Sequence, residues 1–205
     1  NYTPYAYRTK NYGKTWTRIV DENDVQSYTL CIVEDPVNEN LLFLGTDDGL
    51  YISIDAGKKW TKWTAGFPTV PVKDLVIQER EHDLVIGTFG RAAWVLDDIR
   101  PLRALANTNV SKKDLVLFPP PTAYQAAFQQ PTGSRFGADA IYQGENRKSG
   151  ALISYYINKP VEDKTQKKSR KKQDSIKLEV YEGTRKIRTL QIKAPKESGI
   201  HKTNR

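Results

Sequence analysis

Apolar and polar positions alternate in short bursts through the first hundred residues. Tyr28 to Val33 is apolar and β-branched, and the turn formers from Glu34 to Asn40 interrupt it. Leu41 to Gly45 is a second apolar run. Asp47-Asp48-Gly49 predicts a tight turn into Leu50 to Ser53, and Asp55-Ala56-Gly57 predicts another into Trp60 to Trp63. Four short strands thus fall within about 36 residues. A further unit begins at Val72 to Ile77, turns at Glu79 to His82, runs through Leu84 to Gly87 and returns through Ala92 to Leu96.

The units repeat. Thr9-Lys10-Asn11-Tyr12-Gly13-Lys14-Thr15-Trp16 aligns with Ser53-Ile54-Asp55-Ala56-Gly57-Lys58-Lys59-Trp60 at an offset of 44 residues. Leu44-Gly45-Thr46 aligns with Ile86-Gly87-Thr88 at an offset of 42. A period of about 40–50 residues with four strands per unit marks propeller blades. The expected fold is all-β: a partial propeller of about two to three four-stranded blades, then a partial antiparallel β-sandwich. The expected domains are 1–105 for the blades, 106–139 for a Pro-rich connector and 140–205 for the truncated sandwich. Leu115 to Phe118 reads as a last strand on the propeller, and Pro119-Pro120-Pro121 cannot be central strand. In the third region Ala151 to Ile157, Ile176 to Tyr181 and Ile187 to Ile192 read as strands. The chain then stops just after a turn at Ser198-Gly199.

Composition sets outer limits. Hydrophobic residues make up 38% of the 205, enough for a core, and no apolar run approaches the ~20 residues that span a bilayer. The chain holds no Met and begins Asn1-Tyr2-Thr3, the expectation for a piece of something longer. Its remaining blades are then among its expected partners. The net charge of +8 is lopsided: residues 151–205 carry 15 Lys+Arg against 6 Asp+Glu. The run at 164–172 is the basic centre, and it reads as a solvated loop with incidental polyanion binding. No aromatic interleaves those charges, so a nucleic-acid partner is not expected. The single Cys31 lies in an apolar run, and the only histidines are His82 and His201. Neither a Cys/His nucleophile nor a zinc site is expected, and no metal or cofactor is implied.

The repeated octets have a folding chemistry. Asp55, or Asn11 in the first copy, accepts backbone N–H bonds inside a turn. Gly13 and Gly57 permit a positive φ. Thr9 and Ser53 supply a short hydroxyl bond, and Trp16 and Trp60 cap the hairpin with a large apolar face. A catalytic carboxylate would not tolerate Asn11. Glycoside hydrolysis needs two carboxylates across the bond. Asp47-Asp48 is more simply a turn, and the neighbours Asp97 and Asp98 point to opposite faces of a strand. Arg91 is expected to pair with Asp97 or Asp98, and Trp63, Trp94 and Phe89 to pack within blades. The residues retained as possible ligand contacts are Asp47, Asp48, Arg91, Trp94 and Asp97.

Ser53 to Trp60, with Gly45-Thr46-Asp47-Asp48-Gly49-Leu50-Tyr51 before it, resembles the Asp-box (BNR) repeat of sialidases, xyloglucanase-type hydrolases and sortilin-type receptor propellers. The stretch from Gly87 to Leu102 is similar to the closing region of large secreted bacterial proteins with a sortilin-like propeller. Those proteins have His and Gly where this chain has Phe89 and Ala92. Gly144-Glu145-Asn146 and Gly150 to Tyr156 resemble the opening of their immunoglobulin-like module. The resemblance implies an exported protein, extracellular or periplasmic, whose propeller is a non-catalytic scaffold or recognition module for a glycan or protein. Two alternatives stand beside it. One is the C-terminal part of a glycoside hydrolase whose carboxylates lie largely elsewhere. The other is polyanion binding through 164–172.

Overall fold

A computed structural model describes residues 2–107, 110, 112–123, 150–158, 175–195 and 197–204. It divides into two units, Asn1–Lys112 and Lys113–Arg205. The first unit opens with the antiparallel pair β1 (Ala6–Arg8) and β2 (Thr17–Val20), joined by the first Asp-box. A complete blade follows: β3 (Thr29–Glu34), β4 (Leu42–Thr46), β5 (Gly49–Ser53) and β6 (Thr61–Lys62), paired in chain order. Next come β7 (Val72–Gln78), β8 (Asp83–Thr88) and β9 (Ala93–Leu96), a three-stranded sheet. A short helix α1 (Arg100–Leu105) closes the unit, with Pro101 in its first turn where the missing N–H costs nothing. The all-β, partial-propeller reading holds: the described residues form half a blade, one whole blade and three strands of another.

The core lies between sheets. Leu42 and Leu44 on β4 and Tyr51 on β5 cluster with Val20, Val25 and Trp60. Phe43, between the two leucines, faces the other way by strand alternation and is fully buried too. The inner strands β3 and β7 then pack side by side. Gly45 marks their closest approach, since a Cβ there would meet Cys31 Sγ at 2.5 Å and the Val72 carbonyl at 2.8 Å.

The two Asp-boxes share one backbone. Tyr12 and Gly13 have φ of 55° and 85°, and Ala56 and Gly57 have 63° and 84°. The Gly13 N–H donates to Thr9 Oγ1 at 2.8 Å, and the Gly57 N–H to Ser53 Oγ at 2.9 Å. Asn11 Oδ1 accepts the Thr15 N–H at 2.9 Å, and Asp55 Oδ1 accepts the Lys59 N–H at 2.9 Å. The residue before each glycine is therefore left-handed as well. The tryptophans differ. Trp60 is 4% exposed, and its Nε1 donates to the Ile19 carbonyl of β2, while its own N–H reaches Asp24 Oδ2. Trp16 is 59% exposed.

At the Asp-box end of the sheets, α1 is held by a buried ion pair. Arg103 Nε donates to both oxygens of Asp35, at 3.0 and 2.8 Å. Asp35 Oδ1 also accepts the N–H groups of Val37 and Asn38, shaping the β3–β4 turn. Asn38 Nδ2 donates to the Arg103 carbonyl at 3.0 Å. Arg103 NH1 lies 2.9 Å from His82 Nδ1 in the β7–β8 turn. Because a guanidinium only donates, that nitrogen is the acceptor and the imidazole proton sits on Nε2. The helix thus ties the inner hairpins of two blades together.

The second unit contains a three-stranded antiparallel sheet, β10 (Leu115–Leu117), β11 (Leu152–Ile157) and β14 (Gly199–Asn204), with β11 central. It also contains a hairpin of β12 (Ser175–Glu182) and β13 (Arg185–Lys193) around a Gly183-Thr184 turn. Two expectations change here. Leu115–Leu117 pairs with Leu152–Ile157 instead of extending the propeller. Gly199–Asn204 forms a six-residue strand along β11, although the sequence there shows no strong apolar alternation, because ladder hydrogen bonds supply the pairing. The basic run at 164–172, the Gly144-Glu145-Asn146 motif and most of the 106–139 connector lie outside the described residues.

Two measurements test this account. Gly13→Ala is expected to cost about 1–2 kcal/mol, the strain of a left-handed alanine alone, since only Trp16 at 3.8 Å lies near its Cβ. Gly57→Ala adds a Cβ at 2.9 Å from Ile19 and is expected to cost about 1–3 kcal/mol more. Equal shifts in urea midpoint would contradict the inter-sheet contact. Arg103→Met leaves the Asp35 carboxylate buried and unpaired. Its expected cost is about 3–5 kcal/mol by the same assay, and a change below 1 kcal/mol would show the knot to be dispensable.

Candidate functional site

The strands β3 and β7 start at the same end, since Cys31 Sγ lies 3.7 Å from the Val72 carbonyl. The β4–β5 and β8–β9 turns therefore emerge together, away from the Asp-boxes. Asp47, Asp48, Arg91 and Trp94 all lie at this end. Asp97 lies at the other, beside α1, so the structure separates it from the rest.

Within the β4–β5 turn, Thr46 Oγ1 donates to Asp48 Oδ1 at 2.7 Å. Lys62 Nζ on β6 pairs with Asp48 Oδ2 at 2.8 Å and sits 5.8 Å from the centre of the Tyr51 ring. Tyr51 OH is 3.5 Å from the same oxygen. Lys62, Tyr51 and Thr46 were not singled out from sequence. Lys62 reaches the turn only because β6 sets it opposite Tyr51, a register with no local sequence signal. On the inner side, the Asp47 N–H donates to the Tyr28 carbonyl at 3.2 Å, and the Tyr28 ring lies 5.6 Å from that of Tyr2.

The β8–β9 turn carries Phe89, Gly90, Arg91 and Ala92. Phe89 is 71% exposed, with Lys73 Nζ 5.9 Å from its ring centre. Ala92 adopts a φ of 55°, a conformation that the glycine of the related pattern would reach without strain. Trp94 Nε1 donates to the Arg91 carbonyl at 2.9 Å, and its ring meets Phe67 edge-on at 5.5 Å. The indole N–H of Trp63 is likewise spent on the Ala65 carbonyl. The expected Arg91–Asp98 pair does not form. Asp98 is buried and takes Arg100 at 2.7 Å instead, because α1 places that guanidinium directly over it.

Sequence comparison matches residues 5–107 to Sortilin-Vps10, a family described as sortilin, neurotensin receptor 3. The chain belongs to the Sortilin-Vps10 family. The match ends at Asn107, so the family region takes in α1 and the Arg103 knot. No curated protein and no solved structure matches the chain. Among the described residues of this family member, no group of three His, Cys, Asp or Glu side chains is arranged to hold a metal ion. None of the described helices is long and apolar enough to cross a membrane.

The surroundings of Asp48 oppose its use as a general acid. Burial alone pushes the Asp48 carboxyl up. Hydrogen bonds from Lys62, Thr46 and Tyr51, with the Lys62 charge, outweigh it and hold the group below the usual carboxylate range. A glycosidase acid needs the opposite shift. Burial raises the Cys31 thiol to about 11, so it stays protonated at neutral pH.

A depressed carboxyl contributes stability above its unfolded value of about 4 and loses it as pH falls through the lower folded value. Asp48→Asn is therefore expected to lower Tm at pH 7, and the gap to the wild type is expected to narrow steadily as pH falls below the ordinary carboxylate range. A gap that does not change with acidification would mean that shape, not charge, sets the contribution.

Proposed function

We propose that this chain is a ligand-recognition part of an exported receptor-like protein. Its ligand surface is the propeller end that carries Asp47, Asp48, Arg91 and Trp94. The observation that carries the reading is the exposure of Phe89 and Arg91 together on the β8–β9 turn. Asp-box side chains and the Arg103 knot use their polar groups internally, whereas the opposite end presents Phe89 and Arg91 to solvent. Membership of a family described by a receptor's name supports the same reading and an extracellular or luminal location. Of the two ligand classes expected from sequence, a protein or peptide fits better than a glycan. A sugar platform needs an open indole face with polar partners. Trp94 is half-buried against Phe67, and both indole N–H groups at this end are already bonded. Residues 140–205 are proposed as an immunoglobulin-like module that follows the propeller region in the chain, and further blades as the rest of the recognition surface.

The test is a parallel screen of the 205-residue chain on a displayed peptide library, a glycan array and chromogenic glycosides. Selected peptides are expected, with binding reduced at least roughly tenfold by Phe89→Ala with Arg91→Ala. Glycoside turnover, or glycan binding indifferent to those substitutions, would overturn the reading.

A further inference from the structure

The complete blade and the incomplete one can be aligned residue by residue from their registers. Gly45 stands opposite Leu50, and Gly87 opposite Ala93. Tyr51 therefore corresponds to Trp94, and Ile52 to Val95. The turns correspond as well. Thr46 Oγ1 lies 2.9 Å from the Gly49 carbonyl oxygen, and Thr88 Oγ1 donates to the Ala92 carbonyl. The residue just before that carbonyl's residue is Asp48 in one blade and Arg91 in the other.

In the complete blade the fourth strand is held at this point. Thr61 pairs with Ile52, Lys62 with Tyr51, and the Trp63 N–H donates to the Leu50 carbonyl at 2.8 Å. Lys62 lies over the Tyr51 ring and closes on Asp48. In the incomplete blade, β9 pairs with β8 alone among the described residues. An aromatic ring, Trp94, waits at the Tyr51 position, and Val95 beside it is half-exposed. The turn charge is reversed. Arg91 is exposed, and no ion pair joins its side chain to another described residue. An open strand edge offers backbone donors and acceptors to an extended chain.

We propose that the outer edge of β9 binds an extended acidic peptide as an added fourth strand. A Glu or Asp of the peptide stands at the strand position opposite Trp94 and pairs with Arg91, the charge-reversed counterpart of Lys62 with Asp48. The residue after it donates its N–H to the Ala93 carbonyl. This inference rests on the recognition reading above and names its ligand class. Backbone pairing supplies affinity, and the single carboxylate supplies selection, because a Lys at that position would face Arg91.

The β6 segment itself provides the probe. Fluorescein-labelled peptides of residues 58–65 are made in three forms: native, Lys62→Glu, and Lys62→Glu with an N-methyl group on the residue 63 nitrogen. Each is titrated into the 205-residue chain and into its Arg91→Glu variant, with anisotropy as the readout. Arg91 is exposed, so the variant is expected to fold as the wild type does. The wild type is expected to favour the Glu form over the native form by roughly tenfold or more. Arg91→Glu is expected to reverse that order, and N-methylation to weaken the Glu form by a similar factor. Equal affinity for the Lys and Glu forms, a Glu preference that survives Arg91→Glu, or tolerance of the N-methyl group would each overturn the proposal. If none of the peptides binds while library-selected peptides still do, the β9 site is overturned and the recognition reading stands. If selected peptides fail as well, both fall.

Discussion

A twisted sheet that is apolar on both faces cannot be stable by itself, and this constraint organises the first unit. The interior of β4 and β5 is closed on one side by β2 and on the other by β7. Each blade is thus a filling between its neighbours. Trp60 makes the dependence concrete: its ring fills the cluster between β2 and β4, and its N–H satisfies a carbonyl of the preceding blade. Replacing such a residue with alanine in a packed core typically costs about 3–5 kcal/mol. Here that cost would be shared by two blades. The exposed Trp16 shows the same motif in a place where no described sheet covers it.

The third sheet meets the constraint differently. Where the complete blade has an Asp-box and a fourth strand, the chain after β9 turns at Asp98 and folds α1 back across the hairpin ends. Asp98, at a φ of 52°, accepts the Arg100 N–H, although the residue at the helix N-cap is Ile99, with no side-chain cap. The polar anchoring of this helix runs through Arg103, which reaches turns from two blades at once. A buried ion pair of this kind contributes less by net attraction than by the penalty for separating it. The result is a helix whose position is well specified although it is only six residues long.

Much of this was legible in the sequence, for identifiable reasons. Period-two alternation and turn dipeptides report directly on strands, so β3 to β9 fall within a residue or two of their expected bounds. The Asp-box is local, its hydrogen bonds spanning two to four residues, so its chemistry could be read from eight letters. The Arg103–Asp35 pair spans 68 residues, and nothing in either neighbourhood announces it. The same holds for Lys62 on Asp48, which depends on strand register, and for β14, whose pairing is carried by backbone groups common to every sequence. At the candidate site, Asp47, Asp48, Arg91 and Trp94 are legible by residue type. Their grouping at one end, and the exclusion of Asp97, required the topology.

The seam at Gly45 has a chemical consequence. The lone thiol of the chain is wedged there between the inner strands of adjacent blades, with its pKa near 11. At pH 8 only about a thousandth of it is ionised while the seam is closed. An opened seam returns it to the ordinary thiol range and raises its reactivity with an alkylating agent in proportion. The protein therefore carries its own clock for blade separation. The rate of Cys31 modification reads how often two blades part, with no label added and no residue changed.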